Sequence, residues 1–208
     1  MNKQVILIGN GGHAAVLTEI LLQQRFDILG FTAPMPQENR FGIPYLGTDE
    51  VIGSFPCDQV ELVLGFGSID NTDSRKRVFQ HFKVKGYSFA TLIHRNALIS
   101  PYATLGEGVQ IMAGAVVQAF ATIADNTIIN TNASIDHDCS IGQHCHIAPG
   151  VTCSGSVTIG DSSHIGTGAI LIQKVRLGSH VLVGSGSVVL RDIRDYAKAY
   201  GVPAKEVL

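Results

Sequence analysis

From Ile93 to Val189 every sixth residue is aliphatic with one exception, and very few polypeptide architectures accommodate that rhythm. The column reads Ile93, Ile99, Leu105, Ile111, Val117, Ile123, Ile129, Ile135, Ile141, Ile147, Cys153, Ile159, Ile165, Leu171, Leu177, Val183 and Val189. Seventeen positions hold register without an insertion. Cys153 alone departs from the aliphatic rule, and a buried cysteine still behaves as a small hydrophobe. A second column of small or slim residues follows four places after each, from Ala97 and Ala103 through Ala133, Cys139 and Cys145 to Val151. Neither an α-helix nor an ordinary sheet sustains a period of six. A parallel β-helix of hexapeptide repeats does.

Strand alternation supplies the mechanics. The aliphatic residue and the small residue two places before it point inward, and their neighbours point outward. Three hexapeptides make one coil of about 18 residues, and successive coils stack at about 4.8 Å, the ordinary interstrand spacing. Grouping the outward residue before each aliphatic by coil separates three faces. One is polar throughout: Thr104, Thr122, Ser140, Thr158 and Arg176. The second carries Leu98, Val116, Ser134, Thr152, Ile170 and Val188, and the third Gln110, Ile128, His146, His164 and Leu182. Two faces with outward aliphatics and one without predict a prism touching two neighbours, which closed three-fold symmetry satisfies.

Composition narrows the function classes. A net charge of −2 offers no basic footprint for nucleic acid. No run of 18 apolar residues suggests a membrane span, and the opening residues read as a strand rather than a signal sequence. The expectation is a cytoplasmic protein. Its four cysteines, Cys57, Cys139, Cys145 and Cys153, contain no C-x-x-C pair and read as reduced thiols, three of them at inward repeat positions.

Residues 1–92 read as alternating strands and helices, a small parallel α/β unit ahead of the β-helix of 93–208. A strand at Val5–Ile8 meets the turn Gly9-Asn10-Gly11-Gly12-His13, followed by an amphipathic helix from about Ala14 to Gln24. Further strands are expected at Ile28–Thr32 and Val60–Leu64, and Asn71 or Asp73 can cap a helix through Arg77 and Phe82. Gly9, Gly11 and Ala14 fit a loose G-x-G-x-x-A pattern. The second strand ends Phe31-Thr32-Ala33, without the acid that holds a ribose in NAD sites. A phosphate on the N–H groups of Gly11 and Gly12 is one reading; glycines that merely let the turn pack is the other. His13 can cap the helix or touch a ligand.

Among the eight histidines, His137 stands apart: it lies at a β-helix corner, projects outward and has Asp136 and Asp138 on either side. His144 and His180 are two coils apart, a spacing that some zinc sites use, but the third ligand position is Ser185, so no metal is expected. His81 and His94 lie outside the repeat core, and His146 and His164 stack one coil apart.

A Rossmann-like unit with Gly9-Asn10-Gly11-Gly12-His13 after its first strand, joined to a hexapeptide β-helix, resembles the sugar O-/N-acetyltransferase family. The resemblance extends to Ile129-Asn130-Thr131, Ile135-Asp136-His137-Asp138-Cys139 and the closing Gly201-Val202-Pro203-Ala204-Lys205. It implies a left-handed β-helix, a homotrimer, and acetyl-CoA lying between adjacent β-helices with no metal required. The front domain, with Asn10, Gly11, Gly12 and His13, is then expected to hold a sugar or sugar nucleotide. His137 is implied as general base with Asp138 as its orienter, although the amino-sugar enzymes usually carry Glu in that place. Asn130 matches a substrate-pocket position, and His146, Gly155 and Lys205 match positions at the acyl donor. The reaction so implied is N-acetylation of a nucleotide-linked amino sugar in glycan biosynthesis. O-acetylation of a sialic or related sugar and a non-catalytic binding scaffold are the alternatives. Imidazole suits the base role because its pKa lies near neutrality.

Overall fold

The structure is a computed structural model that describes residues 4–68 and 72–207. The chain separates into two compact units, Met1–Gly67 with Arg77–Leu92, and Ser68–Lys76 with Ile93–Leu208.

In the first unit a parallel sheet carries β1 (Gln4–Ile8), β2 (Ile28–Thr32), β3 (Tyr45–Gly47), β4 (Val60–Leu64) and β5 (Ser88–Phe89), in the order β3-β2-β1-β4-β5. Val5 to Ile8 are buried, and Ile6, Ile8, Leu62 and Leu64 pack with Phe79, Phe82 and Phe89. Helix α1 spans Gly12–Gln23, and a 3-10 turn spans Asp49–Ser54. Strand order reverses around β1, so the crevice at the ends of β1 and β4 is the place where such sheets take ligands. Two glycines meet there. A Cβ on Gly65 would lie 2.9 Å from the Ala14 Cβ and 3.0 Å from the Gly9 carbonyl, so only a bare backbone fits.

Helix α2 spans Asp73–Val84, with the Thr72 carbonyl accepting the first helical bond from Lys76 N–H at 2.9 Å. Asp73 therefore sits in the first turn rather than at the cap, and Asn71 lies outside the described residues.

The second unit is the β-helix. Two-residue strands repeat every six residues and pair in parallel with the strand 18 residues on, as in Ile129↔Ile147 and Ile147↔Ile165. They form three sheets, one per face. The inward columns make one continuous core: Ile111, Val117, Ile123, Ile129, Ile135, Ile147 and Cys153 are all fully buried. Burying each aliphatic contributes roughly 1.5–3 kcal/mol. At the corners, every sixth residue from Gly108 to Gly186 has positive φ, fourteen in succession. Glycine fills five of these places, while the others include Asn126, Asn132, Asp138, His144 and Ser156. Asn and Asp tolerate this left-handed geometry better than most side chains. At the C-terminal end, Lys198–Tyr200 pairs antiparallel with Lys205–Val207.

The faces divide differently from the expectation drawn from outward aliphatics. The polar face is exposed along its length and the second face is partly bare, with Leu98 63% and Ile170 43% accessible. The third face is covered within the chain: Gln110, Ile128, His146 and His164 are buried. Part of that cover comes from Ser68 and Arg75 of the same unit. The fully buried Arg75 donates through Nε to the Asn126 carbonyl at 3.4 Å, and desolvation draws its pKa down to about 9.

Candidate active site

The β-helix corner at residues 136–138 presents His137 to solvent and fixes its ring. The Asp136 carboxylate accepts the His137 backbone N–H at 2.8 Å and closes the turn. The next residue adopts the left-handed corner geometry, with φ 57° at Asp138. This turns the Asp138 carboxylate back onto the ring, 2.7 Å from Nδ1. The short aspartate arm therefore reaches the ring. With Nδ1–H donated to Asp138, the lone pair sits on Nε2. The hydrogen bond to Asp138, with the added charge of Asp136, raises the imidazole pKa above its ordinary value of 6.5.

Gly155 lies one coil further along the same corner. Its neighbour Ser156 donates its N–H to the His137 carbonyl at 2.9 Å, which stacks the two turns. A Cβ on Gly155 would come within 2.6 Å of His137 Cε1 and Nε2. The imidazole therefore lies against bare backbone, and any side chain at 155 would displace it. His137, Asp138 and Gly155 form one cluster.

A second cluster gathers Asn130, His146 and Ser68. Asn130 Nδ2 is 3.1 Å from His146 Nε2, and His146 Nδ1 is 3.0 Å from both the carbonyl and the hydroxyl of Ser68. His164 packs edge-on to His146 with ring centroids 5.0 Å apart. Within the chain, Asn130 and His137 stand at opposite ends of the second-face strand Ser134–Ile135.

The remaining residues lie elsewhere. Asn10, Gly11 and Gly12 line a cavity of about 310 Å³ in the first unit, walled opposite by Gln37, Asn39 and Arg40. No atom lies within 4 Å of where a Cβ on Gly11 or Gly12 would stand, so their backbone faces open space. Asn10 tethers that wall, donating to the Glu38 carbonyl at 3.0 Å and accepting from Asn39 at 2.7 Å. The cap of α1 is Gly11, without a side-chain cap bond, so His13 sits inside the first turn and is not the cap. Lys205 is exposed on the C-terminal strand pair. Sequence reasoning missed the wall at 37–40 and missed Ser68. A polar run through Pro36-Gln37-Glu38-Asn39-Arg40 was the available signal for the first; nothing in the repeat pattern points to the second.

Among the described residues, no three His, Cys, Asp or Glu side chains gather as a metal-binding set. Cys139, Cys145 and Cys153 are buried free thiols, and desolvation pushes Cys145 up to about 12. No described helix is long and apolar enough to cross a membrane.

Residues 4–82 match the PglD N-terminal domain, and residues 121–155 match the bacterial transferase hexapeptide. The acetyltransferase domain of PglB from Neisseria gonorrhoeae, solved with acetyl coenzyme A, is 35% identical, with a TM-score of 0.92 and complete coverage of both chains. The chain belongs to this family of hexapeptide-repeat acetyltransferases with a PglD-type N-terminal domain. Its fold is accordingly a Rossmann-like α/β domain followed by a left-handed parallel β-helix. Another family member, PerB from Caulobacter crescentus in complex with CoA and GDP-perosamine, is 35% identical with a TM-score of 0.91, covering 100% of this chain and 98% of that one. UDP-N-acetylbacillosamine N-acetyltransferase of Bacillus subtilis is 35% identical over 117 residues, 53% of this chain and 52% of that protein. The aligned stretch thus spans about half the length of that curated relative.

Proposed function

We propose that this acetyltransferase moves the acetyl group of acetyl-CoA onto the amine of a nucleotide-linked amino sugar. The observation that carries the reading is the His137–Asp138 pair, with Nε2 lying open at a corner whose next coil is bare backbone at Gly155. Family members solved with acetyl-CoA, and with CoA plus GDP-perosamine, support the two substrate classes.

The amine nitrogen attacks the thioester carbonyl, an N–C bond forms and the C–S bond breaks. His137 Nε2 removes the proton that the nitrogen must lose, and the departing CoA thiolate takes up a proton. Asp138 holds the tautomer that leaves Nε2 free and stabilises the imidazolium once formed. CoA supplies the activated acyl group, so the chain itself need contribute only position, base and hydrogen-bond donors.

The front unit, with Asn10, Gly11, Gly12 and His13 around the α1 N-terminus, would hold the sugar nucleotide through its phosphates. Gly155 and Lys205 belong to the CoA side of this reading. The bare second face supports a closed homotrimer in which the base of one subunit works beside the Asn130–His146 cluster of the next. Four free thiols suit a reducing compartment such as the cytoplasm.

The test is CoA-thiol release, followed with UDP-, GDP- and dTDP-linked amino sugars and with free sialic acids. Turnover confined to an amino sugar nucleotide, with mass gain at nitrogen, is the expected result. Turnover of sialic acids alone means O-acetylation, and hydrolysis-level release with every sugar means a scaffold.

A further inference from the structure

The hydrogen bonds around His146 determine which of its nitrogens carries the proton. Asn130 Oδ1 accepts the Thr131 backbone N–H at 2.8 Å, so the amide cannot be turned the other way round. Its Nδ2, which can only donate, then faces His146 Nε2 at 3.1 Å. Nε2 must hold a lone pair. On the other side of the ring, Nδ1 lies 3.0 Å from the Ser68 carbonyl oxygen, which can only accept. Nδ1 must carry the hydrogen. Two independent partners, one on each nitrogen, impose the same neutral Nδ1–H tautomer on a buried ring. The Ser68 hydroxyl lies 3.0 Å from the same Nδ1 and 3.4 Å from Nδ1 of His164, so it bridges the two stacked rings.

We infer that His146 is a positioning residue that acts through Asn130, and that Ser68 is its anchor. Nε2 of His146 is already engaged by the Asn130 amide and has no hydrogen to offer a thioester carbonyl. It fixes one hydrogen of Nδ2, which leaves the second amide N–H of Asn130 rigidly aimed as a donor to a carbonyl acceptor among the reacting molecules. Ser68, carried to the third face by the segment that follows β4, holds the ring from behind. The assignment rests on the proposed acetyl transfer only for what Asn130 meets; the tautomer is a property of the protein alone.

Two measurements on the full-length protein decide it. With ¹⁵N-histidine, long-range ¹H–¹⁵N correlation should show His146 neutral with the hydrogen on Nδ1 at neutral pH. Ser68→Ala, which keeps the carbonyl, should leave that tautomer in place while changing the spectrum of His164. A hydrogen on His146 Nε2, or a charged ring, would overturn the inference. In kinetics, His146→Ala and Asn130→Ala should each lower kcat by about tenfold or more, and the double variant should be no slower than Asn130→Ala alone, because residues acting as one unit are not additive. His146→Gln, whose amide oxygen can replace Nε2 as acceptor, should recover part of the loss seen with Ala. Losses that multiply in the double variant would mean His146 touches the substrate itself. A wild-type protein that turns over no amino sugar would sink the acetyl-transfer reading, and the nitrogen spectra would still decide this one.

Discussion

At the residue scale, the proposed chemistry depends on how backbone geometry orients a single imidazole. Asp138 reaches Nδ1 because its own corner turns back in left-handed geometry, and Gly155 offers the ring a flat backbone to lie on. His137→Ala should leave the fold intact, since the side chain is exposed, while acetyl transfer falls by roughly 10²–10⁴, the range for losing a general base. Wild-type turnover by the well-folded variant would remove the assignment. Asp138→Asn also tolerates the corner, and it tests the pKa argument. A carboxylate beside an imidazolium raises its pKa, so His137 gains its proton at higher pH than a free histidine does. Removing that charge should move the acid limb of the kcat/KM profile to lower pH; an unmoved limb contradicts the pairing. At Gly155, an alanine Cβ must push the ring aside, and a misplacement near 1 Å costs about 10²-fold. The outward corner position of His137 and its flanking acids were legible in the sequence. The contact with Gly155 was not, because a period states which residues share a column and says nothing about van der Waals separation across it.

At the scale of the element, the six-residue rhythm translated almost directly into structure. Each inward position could be named in advance because an alternation fixed over seventeen repeats leaves no freedom of register. Ile147, fully buried between Ile129 and Ile165, and Thr122, exposed on the polar face, are the sharp contrast. Ile147→Asp places a carboxylate in a column without a polar partner and should lower stability by several kcal/mol, on the order of 4 or more. Thr122→Asp stays in water and should change stability by about 0.5 kcal/mol or less. Thermal melts of the two variants that coincide would contradict the inward column. Shorter elements escaped notice. Strand β3 has three residues with no repeat behind them, and the wall at 37–40 is placed by Asn10 rather than by any period of its own. Covering of the third face was equally hidden, since Ser68 and Arg75 arrive from a stretch of chain more than fifty residues before Asn126.

For the whole molecule, two properties follow from how faces are covered. His144 is buried at its corner, 2.9 Å from Asn126 Nδ2, and burial with the nearby charges of Lys76 and Arg75 depresses its pKa to about 4. An unfolded chain would bind that proton near the ordinary value of 6.5, and so binds it first as pH falls. The stabilisation is complete above about pH 6.5 and is lost progressively towards pH 4. His144→Asn, which suits positive φ and removes the titration, should flatten the fall in Tm across that window; an identical slope would show that other groups govern it. Assembly gives the second property. If the base of one subunit serves beside the Asn130–His146 cluster of its neighbour, impaired His137→Ala and His146→Ala chains should complement one another when co-assembled. Equal mixing in a cyclic trimer restores about a quarter of the sites. Mixed trimers no more active than the average of their parents would place both histidines in the service of a single chain.

The fourteen consecutive left-handed corners also make the β-helix a molecule with a reading frame. Losing one residue within a strand would turn every later aliphatic outward and every later corner residue into a strand, unless the next turn absorbed the slip as a bulge. A whole coil of about 18 residues can be gained or lost without disturbing any position before or after it, changing the length by a single interstrand spacing. Evolution can therefore lengthen such a chain only in steps. Variation of any other size is confined to the corners, which is also where the imidazole of His137 stands.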